Sequence, residues 1–144
     1  MSPLDREVVR RRLAGIAENL ERLGAIVPLS LEQYRGDWQC RKATERVLQE
    51  IVEAAVDINQ HLLVSSGAGS APDYRQSFLE IGRLGVIPAE LASVLAPSAG
   101  LRHRLVHEYD EIDDAIVLVA VRSARSLYPA YLEAVERHLK AAPS

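Results

Sequence analysis

The chain has 144 residues, enough for one domain with a buried core that needs no metal or disulfide staple. With 48% hydrophobic and 26% charged residues it has the balance of a globular protein, and a net charge of −3 excludes a protein that coats nucleic acid nonspecifically, while leaving room for a local basic site. A single cysteine, Cys40, excludes an intrachain disulfide, no Cys/His spacing suggests a zinc site, and the charge-studded start MSPLDREVVRRRLAGIAENL is neither a signal-peptide core nor a membrane span; a reducing cytosol, away from membranes, is the expected setting.

Between Pro3 and Ile26, the apolar positions Leu4, Val8, Ile16, Leu20 and Leu23 recur at helical spacing and predict a first amphipathic helix. Pro28 ends it, and Ser30 with Glu32 and Gln33 behind it offers the capping chemistry to start another. That second helix is expected to be long, from about Leu31 through Val47, Leu48, Ile51, Val52, Ala55, Ile58, Leu62 and Leu63. The stretch SSGAGSAP stops it. Lacking the Gly-Lys-Ser/Thr ending of a phosphate-binding loop, its glycines read as connectors. A third helix covers DYRQSFLEIGRLG, and a fourth starts at Pro88 as PAELASVLA, to be broken or kinked by Pro97. The last runs from about Asp113 to Lys140, where Pro129 should bend it or divide it in two. With no alternating strand pattern, repeat or low-complexity tract, the chain reads as one all-α domain over residues 1–144, an up-and-down helical bundle.

One stretch stands out. LRHRLVHEYDEID, residues 101–113, contains the string Arg102-x4-His107-x-Tyr109. On a regular helix the step from Arg102 to His107 turns about 140°, whereas the step to Tyr109 returns to nearly the same face. Arg102 and Tyr109 should therefore share a surface, with His107 to one side. Taken by spacing alone, the stretch also fits a polar helix end, with the arginines and His107 near its C-terminal carbonyls.

RHRLVHEYDEID resembles the signature of the HEPN superfamily, and closely that of the HepT toxins of bacterial and archaeal toxin–antitoxin pairs; EAAVDINQHLL and FLEIGRLGVIPAEL extend the likeness over most of the chain. The resemblance implies a HEPN-fold, two-fold dimer with endoribonuclease activity that needs no metal or cofactor. It further implies the toxin of a type VII system, cutting cellular RNA, with tRNA a candidate. Its partner would be a minimal (MNT-type) nucleotidyltransferase antitoxin. Arg102 and His107 fall on the family's catalytic positions and Tyr109 on the tyrosine that the antitoxin modifies with AMP. His103 stands where asparagine is commoner, as a supporting residue.

The side chains suit that chemistry independently. RNA carries its own nucleophile, the 2′-hydroxyl, so an enzyme can cleave it by moving protons and stabilising the phosphorane. A histidine can move the proton, and an arginine can hold phosphate oxygens through its fork. Cleavage is best served by an acid and a base, and a dimer that sets two motifs in one cleft would supply both.

Other residues carry weaker signals. Asp57 and His61, four apart on the long helix, should share a face; two ligands are too few for a metal site, and Asp57 is a candidate for lining the cleft and orienting a motif residue. The basic runs Arg41, Lys42, Arg46 and Arg10, Arg11, Arg12 read as solvated faces, His138 as a partner of the last helix's dipole, and Trp38 and Tyr34 as packing residues. A rival reading from another class is a noncatalytic helical module that docks a nucleotidyltransferase or nucleotide ligand. An intact Arg102 and His107 favour the nuclease.

Overall fold

A computed structural model describes residues 3–107 and 112–143. Among these residues it contains seven helices and no strand: α1 (Arg6–Leu23), α2 (Leu31–Arg35), α3 (Trp38–Ser65), α4 (Tyr74–Arg83), α5 (Ala89–Leu95), α6 (Ser98–His107) and α7 (Asp114–Ala141). Five of the starts are set by one device. Asp5, Ser30, Asp37, Asp73 and Asp113 each accept, through the side chain, a backbone N–H of the first helical turn that has no partner inside the helix. At Ser30 the bond is reciprocal, because the Gln33 side chain accepts from the Ser30 N–H.

The expected long second helix is two elements. Gly36 ends α2, and Asp37 leaves the helical conformation (φ −118°, ψ 95°) to cap α3 by accepting from the Cys40 N–H. Both α3 and α4 finish in a Schellman turn, where Gly67 (φ 88°) and Gly85 (φ 80°) supply the left-handed residue. The closing bonds are Ala68 N–H to Leu63 C=O and Val86 N–H to Ile81 C=O, both 3.1 Å or shorter. Of the two outcomes expected at Pro129, a bend or a division, the division does not occur, since α7 runs unbroken from Asp114 to Ala141. Pro129 is exposed, while Tyr128 and Tyr131 on either side of it are buried, so core packing holds together the two turns that the missing N–H would loosen.

In α1 the buried stripe is Val9, Leu13, Ile16, Leu20 and Leu23, one residue out of step with the expected Val8 at its start. That stripe lies on α3, the central helix, which also packs against α2, α4, α6 and α7. Buried residues from all seven helices join one hydrophobic core.

A polar chain crosses the core. The Tyr131 hydroxyl of α7 donates to Asn59 Oδ1 of α3 (2.6 Å), Asn59 Nδ2 donates to Ser77 Oγ of α4 (3.2 Å), and Ser77 Oγ donates to the Tyr74 carbonyl (2.7 Å). All three side chains are buried, so each bond replaces water that cannot enter. Burial pushes the Tyr131 phenol well above its ordinary range, which keeps it protonated as the donor. Replacing Tyr131 by Phe leaves the Asn59 carbonyl without this donor and should lower the unfolding free energy by about 1–3 kcal/mol. Urea unfolding followed by circular dichroism measures it: the expected result is native helicity with a lower midpoint, and an unchanged midpoint would contradict the role given to this chain.

Candidate active site

Helix α6 is short and anchored by a single buried residue, Leu105, with Leu101 half-buried on the same side one turn earlier. This fixes what the rest of the helix presents. Arg102 points to the flank of α3, where its Nε and Nη2 both lie 3.1 Å from Glu53 Oε1. The pair is only partly exposed, 24% for Arg102 and 31% for Glu53, so it is less screened than a surface ion pair. Gln49 Nε2, one turn before Glu53, donates to the same oxygen at 2.9 Å. The guanidinium carbon also lies 4.9 Å from the centroid of the Tyr74 ring, at the start of α4, within cation–π range.

His107 leaves α6 on another side, as the expected turn of about 140° requires. Its ring packs on that of His103 one turn earlier, with centroids 4.7 Å apart and planes inclined by 47°. Asp73, Tyr74, Arg75, Gly100, Arg102 and His103 border an open depression of about 400 Å³ between the starts of α4 and α6. Among the described residues that line it, Arg75 and Arg102 are basic and Asp73 is the one acid, with Glu53 paired to Arg102 beside it. Tyr109 lies outside the described residues.

Among the other candidates, Asp57 and His61 share a face as their spacing predicts, but that face meets α1. Asp57 Oδ2 lies 3.2 Å from Arg12 Nη1, and His61 Nε2 accepts the Asp5 backbone N–H at 3.0 Å. The carboxylate beside Arg102 is Glu53, one turn before Asp57. The basic runs are largely ion-paired on the surface: Arg10 with Glu136, Lys42 with Glu45, Arg46 with Glu50. His138 is half-buried in the last turn of α7, and burial with the nearby Arg6 guanidinium pushes its imidazole below its ordinary range. Tyr34 packs in the core as expected. Trp38 does not: it is 63% exposed at the first position of α3.

No group of three or more side chains able to hold a metal occurs among the described residues. Nor is any described helix long and apolar enough to cross a membrane.

Comparison with known proteins bears on this arrangement. The model of the HepT-like ribonuclease family matches residues 16–137. A tRNA nuclease HepT from Aphanizomenon flos-aquae is 37% identical over 139 residues, spanning 96% of this chain and 95% of the relative. An mRNA nuclease HepT from Shewanella oneidensis is 22% identical over 130 residues, 90% of this chain and 97% of the relative. In fold, the chain superposes with a TM-score of 0.82 on the tri-AMPylated Shewanella oneidensis HEPN toxin solved in complex with its MNT antitoxin, at 22% identity and covering 92% of this chain and 99% of that one. It matches the cytosolic Bacillus subtilis protein YutE, of unknown function, with a TM-score of 0.80 at 15% identity, over 100% of this chain and 98% of that one. The all-α bundle is thus the fold of the HEPN toxins, and the chain belongs to the HepT-like ribonuclease family.

Proposed function

We propose that residues 1–144 form one HEPN domain that acts in the cytoplasm as the endoribonuclease toxin of a toxin–antitoxin pair. The observation that carries this reading is the fixed guanidinium of Arg102 at the rim of an open recess, with the imidazole of His103 next to it on the same helix and that of His107 one turn further on.

In-line cleavage has two requirements, a proton acceptor for the attacking 2′-hydroxyl and donors for the phosphorane that forms. The 2′ oxygen bonds to phosphorus as the bond to the 5′ oxygen breaks, leaving a 2′,3′-cyclic phosphate and a free 5′-hydroxyl. Arg102 binds the non-bridging oxygens, and its charge is permanent. His107 moves a proton in this step, with His103 packed on its ring. The chemistry draws only on these groups and the substrate, so neither a metal nor a cofactor has a part in it.

The second proton-transfer group comes from a second copy related by a two-fold axis. An apolar face beside the motif supports this. Val94, Ile116 and Val119 are exposed, Val119 to 58%, and they border a groove of about 370 Å³ that Arg104 of α6 also lines. Burying that face against its own symmetry mate would bring two α6 helices together.

The proposed restraint is an MNT-type nucleotidyltransferase antitoxin that transfers AMP to Tyr109, as the modified state and the antitoxin complex of the Shewanella oneidensis HEPN toxin suggest. An adenylated phenol two residues beyond His107 would bring bulk and a phosphodiester charge to the place the substrate phosphate must occupy, and would offer Arg102 the wrong anion.

Replacing His107 by Ala should keep the helical fold and slow RNA cleavage by a factor on the order of 10² to 10⁴. Chelators should leave the wild type unaffected. Gel analysis of RNA digested by the two proteins tests both, and full activity in the variant would remove His107 from the reaction. Tyr109→Phe should retain nuclease activity yet escape inactivation by the partner enzyme with ATP. Intact-mass spectrometry after co-expression should show AMP-sized additions on the wild type that are missing from Tyr109→Phe; the same additions on the variant would place the modification elsewhere.

A further inference from the structure

The contacts of Arg102 do more than anchor it. A guanidinium has five N–H donors in one rigid plane. One of them, on Nε, donates to Glu53 Oε1, and Nη2 on the same edge lies 3.1 Å from that oxygen. The guanidinium carbon sits over the ring of Tyr74, 4.9 Å from its centroid. No other described residue hydrogen-bonds the guanidinium, and its outer edge, between Nη1 and Nη2, is the fork suited to bidentate capture of a phosphate. We propose that Glu53 and Tyr74 are positioning residues for RNA cleavage, holding the guanidinium of Arg102 with its outer fork open to the scissile phosphate. The proposal rests on the reading of Arg102 as the phosphate-binding group.

Each partner is itself held. Gln49 donates to the same Glu53 oxygen from one turn earlier on α3, which helps fix the carboxylate. Tyr74 begins α4, and its carbonyl takes the last bond of the buried chain that starts at Tyr131 and passes through Asn59 and Ser77. The core thereby sets the position of the ring on which Arg102 lies. An arginine free in solvent has the rotamer entropy of a long side chain to lose on binding. One already held by a carboxylate and against a ring has lost most of it before the substrate arrives.

The same ion pair has an opposite reading, in which the Glu53 carboxylate cancels the charge of Arg102 and opposes the phosphate. Geometry favours positioning. Glu53 takes the inner edge, no other described residue hydrogen-bonds the outer fork, and Arg75 supplies a second guanidinium beside the recess. The two readings differ in the sign of a measurable effect.

The experiment is steady-state cleavage of RNA by the full chain, with kcat and KM separated. Glu53→Ala should lower kcat/KM by on the order of 10-fold to 100-fold, mostly in kcat, because a swinging guanidinium still attracts the polyanion but no longer meets the phosphorane. Glu53→Gln should recover most of the loss, since its amide oxygen can accept the same Nε–H without a charge. Tyr74→Leu, which fills the space without a ring face, should lower kcat with little change in thermal midpoint, and it carries the test if Glu53→Ala fails to fold. In an Arg102→Lys background, where there is no plane to hold, Glu53→Ala should cost little more. Faster cleavage by both Glu53 variants would show a brake and overturn the proposal. Wild-type rates in Glu53→Ala and Tyr74→Leu would overturn it while leaving the nuclease reading intact, and a wild type that cleaves no RNA would remove both.

Discussion

Everything in this molecule is arranged around one buried helix. α3 packs against α1, α2, α4, α6 and α7, and residues such as Leu48, Ile51, Val52, Ala55, Ile58 and Leu62 along it are almost wholly removed from water. A helix covered on so many sides cannot shift by a turn without opening the core, since close-packed interiors tolerate little displacement. Its less buried flank carries Gln49 and Glu53, which meet Arg102, and its interior carries Asn59, which ties α4 and α7 together. Stability and the geometry of the recess thus come from the same element.

The electrostatics follow the same economy of placement. The chain as a whole is acidic, and several of its surface arginines pair with carboxylates, Arg10 and Arg12 across to another helix and Arg46 within α3, which suits a protein that must avoid binding nucleic acid indiscriminately. At the recess two guanidiniums, of Arg75 and Arg102, stand close together, with Glu53 on the inner edge of Arg102 and Asp73 at the start of α4. Arg102 keeps its outer donors because its carboxylate approaches along one edge only, a consequence of helix α6 lying alongside α3 at the level of Glu53.

Much of this was legible in the sequence, for physical reasons that differ from residue to residue. Apolar spacing located the helices, and the caps at Ser30 and Asp113 and the stop after Ser65 followed from local chemistry that needs no tertiary information. The α2–α3 break was missed because a glycine inside a helical pattern is ambiguous until the Asp37 cap is recognised. Whether Pro129 would bend α7 or divide it was left open, because the continuity of the helix depends on Tyr128 and Tyr131 being buried, which is a property of the core. The turn between Arg102 and His107 was correct, as simple helical geometry should be. Glu53 and Tyr74 were out of reach: nothing local connects position 53 or 74 to position 102, and the acid nominated instead, Asp57, lies one turn further along α3 and faces Arg12.

The central claim is that the substrate's own 2′-hydroxyl does the attacking while Arg102 and His107 stabilise charge and move protons. The most direct test is to map a cut in an RNA digested by the purified wild-type chain, then to offer the same strand with a single 2′-deoxy nucleotide on the 5′ side of that cut. The account predicts that cleavage at that position disappears while the intact RNA yields a 2′,3′-cyclic phosphate or the 3′-phosphate formed by its hydrolysis. Cleavage of the deoxy-substituted strand at the same place and rate would mean that an external nucleophile is at work, and would contradict it.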